Sequence, residues 1–347
     1  MACRSIGKAL PRSGGQGGGK PVRKQFLLFV LTTLFLATVN PTHAQQPGKI
    51  PRIGFLDPST ASGSAVLVEV FRQEMTKLGW IEGKNIAVEY RFAENKGSES
   101  LPELAADLVR LKVDLIVVTG APDALAAKGA TTTIPIVMAA VGDPVGSGLV
   151  GSLARPGGNV TGLSSLAFEL NTKRLEILKD AVPKLARVGL LRRSAASLQL
   201  KPLRAAAQSL KLKLEEIETQ PDAKGLESAF QTAKQKQVKA IMTTTTNFFF
   251  AERKRIVELA VKYRLPGIYS EKAYVDDGGL MSYGADNTDL YRRAAVYVDK
   301  ILKGAKPADL PVQQATKFEF VINLKAAKQI GLTIPPDVLA RATKVIK

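Results

Sequence analysis

Residues 113–141 read VDLIVVTG, APDALAAKGATT, T and IPIVMAAV, so an apolar run, a helix-like segment and a second apolar run follow one another. Both apolar runs are short and rich in Ile and Val, which is typical of strands buried on both faces of a parallel sheet. A strand, a helix and a strand in succession form the right-handed unit of α/β folds. The stretch therefore predicts an α/β protein with parallel sheets.

The same alternation extends outward in both directions. Upstream, RIGFLD and IAVEYRFA read as strands, and the leucines of LPELAADLVRLK fall on one face of a helix. Downstream of NVTGLSSL the alternation of helices and strands begins again. NTKRLEILKDAVP reads as a helix, and RVGLLRR and VKAIMTTTT read as strands. No sequence repeat is visible, but the architecture occurs twice. We therefore predict two similar α/β lobes.

The glycines of GSGLVG (Gly146–Gly151) have the G-x-G-x-x-G spacing of a dinucleotide-binding loop. Such a loop must open a long helix, but Pro156, Gly157 and Gly158 interrupt the chain shortly afterwards. We interpret residues 142–162 as turns and predict that the protein uses no cofactor.

The first 44 residues differ from the rest of the chain. A basic, Gly-rich lead precedes the apolar run FLLFVLTTLFLATV (26–39), which Pro41 to Ala44 follow. This is the pattern of a secretory signal peptide, and the run is shorter than the roughly 20 residues of a membrane span. We predict a signal peptide over 1–44, cleavage near Ala44 and export to the periplasm, with an uncleaved N-terminal anchor as the alternative.

Export would change the chemical inventory. The only cysteine, Cys3, and the only histidine, His43, both lie in the predicted signal peptide. The exported chain would then hold neither residue type, which excludes disulfides, Cys–His and Ser–His–Asp catalysis, and zinc sites built on His or Cys. We therefore expect no metal site of this kind.

The chain is basic, with 49 Lys and Arg against 31 Asp and Glu and a net charge of +18. The basic residues mix with acids along amphipathic stretches such as AERKRIVELAVKYR, a pattern that indicates a solvated surface. We expect no nucleic-acid partner.

Polar residues follow several of the predicted strands. In open α/β sheets, ligands bind beyond the carboxyl ends of the strands, where loops lead into helix N-termini. Each such residue alone is also suited to capping or turn formation. The candidate ligand-binding residues are Asp57, Ser59, Thr119, Gly120, Ala121, Asp143, Thr246, Asn247, Tyr269, Ser270, Glu271 and Asp286.

Three longer stretches resemble a bacterial protein family: DPVGSGLVGSLARPGGNVTGLS (143–164), RLPGIYSEKAYVDDGGLMSYG (264–284) and LYRRAAVYVDKILKGAKPADLPVQQATKFEFVINLKAAKQIGLTIPP (290–336). They are similar to the substrate-binding proteins of ABC transporters of the tryptophan/tyrosine importer type. The resemblance extends from about Arg52 to Ile346. It implies the type I periplasmic binding protein fold, with two Rossmann-like lobes, a three-stranded hinge and a cleft between the lobes.

The resemblance also implies a domain division and a role. The N-terminal lobe would comprise residues 51–163 with a contribution from about 284–315, and the C-terminal lobe 164–283 with about 316–347. The protein would be a monomeric, non-enzymatic receptor that delivers a small, amino-acid-like or aromatic solute to an ABC permease and its ATPase. Two alternatives stay open: a periplasmic sensor that feeds a signalling protein, and a secreted enzyme built on carboxylates such as Asp276 and Asp277 or Asp286 and Asp289.

An amino-acid ligand would need partners for two opposite charges. Its carboxylate would suit the N–H groups and hydroxyl of Thr119, Gly120 and Ala121, and its ammonium would suit Asp143, Glu271 or Asp286. Thr246 and Asn247 would add hydrogen bonds. Tyr269, Tyr274 and Phe248 would stack on an apolar side chain unless they pack in the core.

Overall fold

The computed structural model describes residues 49–94, 98–193, 197–220 and 223–347. The predicted signal peptide over 1–44 lies outside these ranges. No helix within them is both long and apolar enough to cross a membrane.

A six-stranded parallel sheet organises the first lobe, in the order β11-β5-β4-β3-β1-β2. Its strands and helices along the chain are β1 Arg52–Asp57, α1 Ala61–Lys77, β2 Ala87–Phe92, α2 Leu101–Arg110, β3 Leu115–Val118, α3 Ala121–Ala130, β4 Ile136–Val141, β5 Val160–Ser164, and later α10 Asn287–Leu302 and β11 Gln313–Gln314.

A seven-stranded sheet organises the second lobe, in the order β13-β12-β10-β9-β8-β6-β7. All its pairs are parallel except β10 with β12. Its elements are α4 Leu170–Ala181, β6 Arg187–Arg192, α5 Ser197–Ser209, β7 Lys213–Glu218, α6 Ala223–Gln235, β8 Ala240–Thr243, α7 Asn247–Ala251, α8 Arg253–Lys262, β9 Gly267–Tyr269, α9 Lys272–Asp276, β10 Met281–Ala285, β12 Phe318–Asn323, α11 Leu324–Ile330, α12 Pro336–Ala340 and β13 Lys344–Ile346.

Each sheet is covered by helices on both faces, which explains why inner strands such as LIVV in β3 and AIMT in β8 read as apolar runs, whereas the edge strand β7, KLEEIE, does not. In the first lobe, Phe55 packs with Phe71 of α1 and Leu290 of α10 on one face, and Leu56 packs with Leu108 of α2 on the other. The second lobe has two corresponding apolar clusters. The α/β class predicted from the sequence is confirmed.

Within the described residues the chain passes between the sheets at three places: after β5, after β10 and after β11. These crossing segments lie side by side, since the N–H of Ala315 donates to the carbonyl of Ser164 at 2.8 Å and the N–H of Asp286 donates to that of Lys317 at 3.0 Å. The third crossing carries residues 315–323 back to the second sheet, where β12 pairs antiparallel with β10.

The glycine-rich stretch 146–151 lies in the loop that joins β4 to β5, and no helix follows it before β5. Its turn is closed by Asp143, whose carboxylate accepts the N–H of Gly146 at 2.8 Å. Gly148 has a φ of +70°, a left-handed conformation that glycine adopts without strain. The local geometry is therefore that of turns and not of a phosphate-binding strand-to-helix junction.

Candidate functional site

A cavity of about 330 Å³ opens where the carboxyl ends of strands from both sheets face each other. This volume is at the lower end of the range for small-molecule sites. The first lobe contributes the segments after β1, β3 and β4 and one face of α10, and the second lobe contributes those after β6, β8 and β9 and part of α4. Eight of the candidate residues line the cavity: Asp57, Ser59, Thr119, Gly120, Ala121, Thr246, Ser270 and Glu271.

Asp57 forms the base of the first-lobe wall and is only 3% exposed. Its carboxylate accepts the N–H of Ser59 at 2.7 Å and the hydroxyl of Ser64 at 2.6 Å. The two serine hydroxyls are themselves 2.6 Å apart. A buried carboxylate needs such donors, so the turn into α1 holds Asp57 in place beside the cavity.

The start of α3 is occupied by a carboxylate of the chain itself. One oxygen of Asp123 accepts the N–H groups of Thr119 at 2.5 Å and Gly120 at 3.1 Å. Its other oxygen, Oδ1, is buried and has no hydrogen-bond partner among the described residues. Burial raises the pKa of Asp123 to about 7, with the nearby charge of Asp57 adding to the effect and the backbone N–H groups opposing it. Two of the N–H groups predicted to receive a ligand carboxylate thus already have an acceptor.

Glu271 provides an acidic group on the second-lobe wall. It directly precedes α9, and Asn287 on α10 donates to its Oε2 at 3.4 Å. Burial raises its pKa from 4.5 to about 7, although the positive charges of Arg174 and Arg253 act in the opposite direction. The hydrogen bond from Asn287 links the second-lobe wall to a helix of the first lobe.

Two arginines line the second-lobe side of the cavity, Arg174 on α4 and Arg193 after β6. Arg174 is 1% exposed. Burial lowers its pKa to about 10, so it remains a cation at neutral pH. Arg193 donates to the carbonyl of Thr219 at 3.2 Å and lies over the ring of Phe248 at 5.1 Å from the centroid.

Aromatic rings connect the cavity to the core of the second lobe. Phe250 on α7 lines the cavity and meets Tyr274 edge-on with ring centroids 6.3 Å apart. Tyr274 in turn stacks on Tyr269 at 4.5 Å. Arg253 covers the ring of Phe250 at 4.8 Å, and Phe168 provides a second aromatic surface in the lining. An apolar ligand group would find rigid partners here.

The remaining candidate residues lie outside the lining. Asp143 closes the turn with Gly146, and Asp286 caps α10 by accepting the N–H of Asp289 at 3.1 Å. Tyr269 is 1% exposed and packs in the core of the second lobe. The side chain of Asn247 lies outside what the structure describes.

The carboxylates considered for an enzyme are engaged separately. Asp276 pairs with Lys272 at 2.5 Å, and Asp277 pairs with Arg253 at 2.8 Å. Asp289 pairs with Lys317 at 2.5 Å. Among the described residues, no group of three or more His, Cys, Asp or Glu side chains is arranged to hold a metal ion.

Several lining residues were not predicted from the sequence, among them Arg174, Arg193, Gln199 and Tyr291. Arg193 directly follows β6, so the rule that selected the other strand ends could have found it. Arg174 and Tyr291 lie within helices, where the sequence gives no sign of which basic or aromatic residue faces a cleft.

Two α/β lobes built on mainly parallel sheets are joined by adjacent crossing segments and enclose a cavity. This arrangement defines the class of type I periplasmic binding proteins. The chain belongs to the ABC transporter substrate-binding protein family, whose sequence model matches residues 63–346. The ligand of this family is a small molecule and its partner is an ABC permease, and its members generally act outside the cytoplasm. The resemblance inferred from the sequence is confirmed.

Individual relatives agree with this assignment. A tyrosine-binding protein of Clostridioides difficile strain R20291 is 29% identical over 268 residues, which are 76% of this chain and 75% of the relative. A conserved domain protein of Vibrio cholerae is 30% identical, with a TM-score of 0.79, and the match covers 86% of this chain and all of that one. An ABC domain from Streptococcus pneumonia, solved in complex with L-Trp, is 29% identical with a TM-score of 0.76, over 85% of this chain and all of that one.

Proposed function

We propose that this protein captures an aromatic L-amino acid, or a solute closely similar to one, in the cavity between the lobes and delivers it to an ABC importer. The observation that carries the proposal is the composition of the cavity wall. It combines a buried carboxylate at Asp57 with a half-buried one at Glu271, a buried guanidinium group at Arg174 with a half-buried one at Arg193, and an aromatic surface at Phe250.

A zwitterionic ligand matches this wall because each of its charges meets an opposite one. An ammonium group would pair with Glu271 or Asp57, and a carboxylate with one of the arginines. Charge-assisted hydrogen bonds in a site of low polarity are stronger than neutral ones. Two relatives support the same class of ligand. One is named a tyrosine-binding protein, and the other was solved in complex with L-Trp. The ligand contacts predicted for Thr119, Thr246, Asp143 and the other strand-end residues remain predictions.

Ligand capture would proceed by closure of the lobes about the three crossing segments. A ligand that touches both walls binds the closed arrangement better than the open one, and its differential affinity sets the closed population. The permease would then recognise the closed protein. We further propose that residues 1–44 are a cleaved signal peptide, that the protein acts in the periplasm as a monomer, and that it does not alter its ligand chemically.

A thermal-shift screen tests the proposal. L-Trp, L-Tyr and L-Phe should raise the melting temperature, because a ligand present at a hundredfold excess over Kd stabilises the folded state by about 2.7 kcal/mol. Sugars and nucleosides serve as controls and should have no effect. The samples are then analysed by chromatography, where the amino acids should be recovered unchanged. Stabilisation by a sugar alone, or chemical conversion of a stabilising compound, would contradict the proposal.

A further inference from the structure

Arg174 lies at the junction of the cavity and the crossing segments. It lies in the first half of α4, the helix that follows the first crossing. Its Nε donates to the carbonyl of Tyr283 at 2.7 Å, and its Nη1 donates to the carbonyl of Ala167 at 3.2 Å. Ala167 belongs to the first crossing, between β5 and α4, and Tyr283 lies in β10, which leads into the second crossing. One side chain therefore holds the backbone beside two of the three crossings.

The same guanidinium is tied to the loop after β8. Its Nη1 also donates to Oδ1 of Asn171 at 2.5 Å, and Nδ2 of Asn171 donates to Oε1 of Gln199 at 2.8 Å. Gln199 in turn accepts the N–H of Thr245 at 2.8 Å and donates to its carbonyl at 3.0 Å. This chain of hydrogen bonds fixes Thr245, which lines the cavity.

The Nη2 of Arg174 is the nitrogen left for a ligand. Among the described residues it donates to no hydrogen-bond acceptor, whereas Nε and Nη1 both do. Nη2 is not one of the fully enclosed side-chain atoms that lack a partner, so it keeps some accessible surface. Arg174 lines the cavity. A guanidinium is planar and rigid, so an acceptor bound to Nη2 has a fixed position relative to the carbonyls held by Nε and Nη1.

The other predicted site for a ligand carboxylate, the start of α3, is less suitable. Asp123 already accepts the N–H groups of Thr119 and Gly120. A second carboxylate there would lie beside Asp123 and close to the charge of Asp57, which like-charge repulsion disfavours. The lining arginines are the remaining cationic partners. Within the part of the chain that the structure describes, Arg193 donates to the carbonyl of Thr219 in the second lobe and to no crossing segment.

We propose that Arg174 receives the ligand carboxylate on Nη2 and, through the carbonyls of Ala167 and Tyr283, couples ligand binding to closure of the lobes. This inference rests on the proposed function, since it requires a ligand with a carboxylate. It makes Arg174 both a ligand-binding residue and a positioning residue for the crossing segments.

The experiment compares L-tryptophan with tryptamine, which lacks the carboxylate. Calorimetry gives the Kd of each compound, and small-angle X-ray scattering gives the radius of gyration with and without it. The proteins are the wild type, Arg174→Lys, which keeps the charge but loses the planar fork, and the matched control Arg341→Lys, at an exposed arginine that pairs with Asp180 and does not line the cavity. The quantity of interest is the ratio of the two Kd values, because a purely structural loss would weaken both compounds alike.

For the wild type and Arg341→Lys, we expect L-tryptophan to bind roughly ten- to a hundredfold more tightly than tryptamine, the range for hydrogen bonds to charged groups. We also expect L-tryptophan, and not tryptamine, to reduce the radius of gyration. For Arg174→Lys the Kd ratio should fall toward one and the contraction should disappear.

Three outcomes are decisive. If Arg174→Lys keeps the wild-type ratio and contraction, the inference is wrong while the proposed function stands. If tryptamine contracts the wild-type protein as much as L-tryptophan does, the inference is also wrong, and this test does not depend on how well any variant folds. If the wild type binds none of L-Trp, L-Tyr and L-Phe, the proposed function itself fails.

Discussion

Replacing Glu271 with glutamine should stabilise the ligand-free protein at high pH and weaken ligand binding. Burial raises the pKa of Glu271 from 4.5 to about 7, which outweighs the attraction of Arg174 and Arg253. The folded state therefore binds the proton more tightly than the unfolded state does. By linkage, the free energy of unfolding falls as pH rises from about 4.5 to about 7, because over this range the unfolded chain holds fewer protons at this group.

The size of this effect follows from the pKa change. A tenfold change in proton affinity is worth about 1.4 kcal/mol, so ionising Glu271 in the folded protein costs up to about 3 kcal/mol above pH 7. Glu271→Gln removes this penalty. We expect the variant to match the wild type near pH 4.5 and to exceed its free energy of unfolding by up to about 3 kcal/mol at pH 8.

Urea denaturation at a series of pH values measures this difference. Taking the difference between variant and wild type cancels the contribution of Asp123, whose pKa is also raised to about 7. Asp180→Asn is the matched control for removal of a carboxylate, since Asp180 is exposed and paired with Arg341 at 2.9 Å, and it should not reproduce the gain in stability expected for Glu271→Gln at pH 8. In parallel, Kd for L-tryptophan at pH 8 should rise at least about tenfold in Glu271→Gln. A stability difference that does not change between pH 4.5 and pH 8 would refute the reasoning.

Three further predictions concern other parts of the site. Phe250→Ala should weaken L-tryptophan binding about three- to tenfold, since an aromatic pair is worth about 0.5–1.5 kcal/mol. In the same calorimetric titration, L-leucine binding should weaken less. Equal losses for the two ligands would argue against ring stacking. Asp123→Ala should lower the free energy of unfolding, measured in urea, by about 1–2 kcal/mol, because the N–H of Gly120 loses its acceptor. Asp123→Asn keeps an acceptor oxygen and should lose less than about 1 kcal/mol. Identical losses in the two variants would contradict this role of Asp123. Gly284→Ala should destabilise the folded protein by about 1–3 kcal/mol, because a Cβ at this position would overlap the backbone carbonyl of Ser270. A urea midpoint equal to that of the wild type would contradict this, because it would show that the contact relaxes freely.

The architecture of both lobes could be predicted because their strands are buried on both faces. Runs such as LIVV in β3 and IVMAAV in β4 contain little besides apolar residues, and the helices between them repeat with a helical period. The strands formed by Gln313–Gln314 and Lys344–Ile346 were not predicted. They are short edge strands, and their pairing depends on the neighbouring strand and not on their own composition.

The site was predicted only in part, and for a definite reason. Residues at strand ends can be located from sequence, which is how Asp57, Thr119 and Glu271 were selected. Arg174 reads as one more basic residue of an amphipathic helix, and only the fold shows that its side chain is buried among backbone carbonyls. Asp123 likewise reads as part of an ordinary helix start, although its carboxylate occupies the N–H groups that seemed free for a ligand.

The most direct test of the central claim is a calorimetric titration of the protein with L-tryptophan, followed by recovery of the ligand. We predict that one molecule binds per chain and that L-tryptophan is recovered unaltered. The affinity should fall as pH is lowered through about 7, because Glu271 is then protonated. An absence of saturable binding by L-tryptophan and equally by L-tyrosine and L-phenylalanine would contradict the claim that the cavity between the lobes is a receptor for aromatic amino acids.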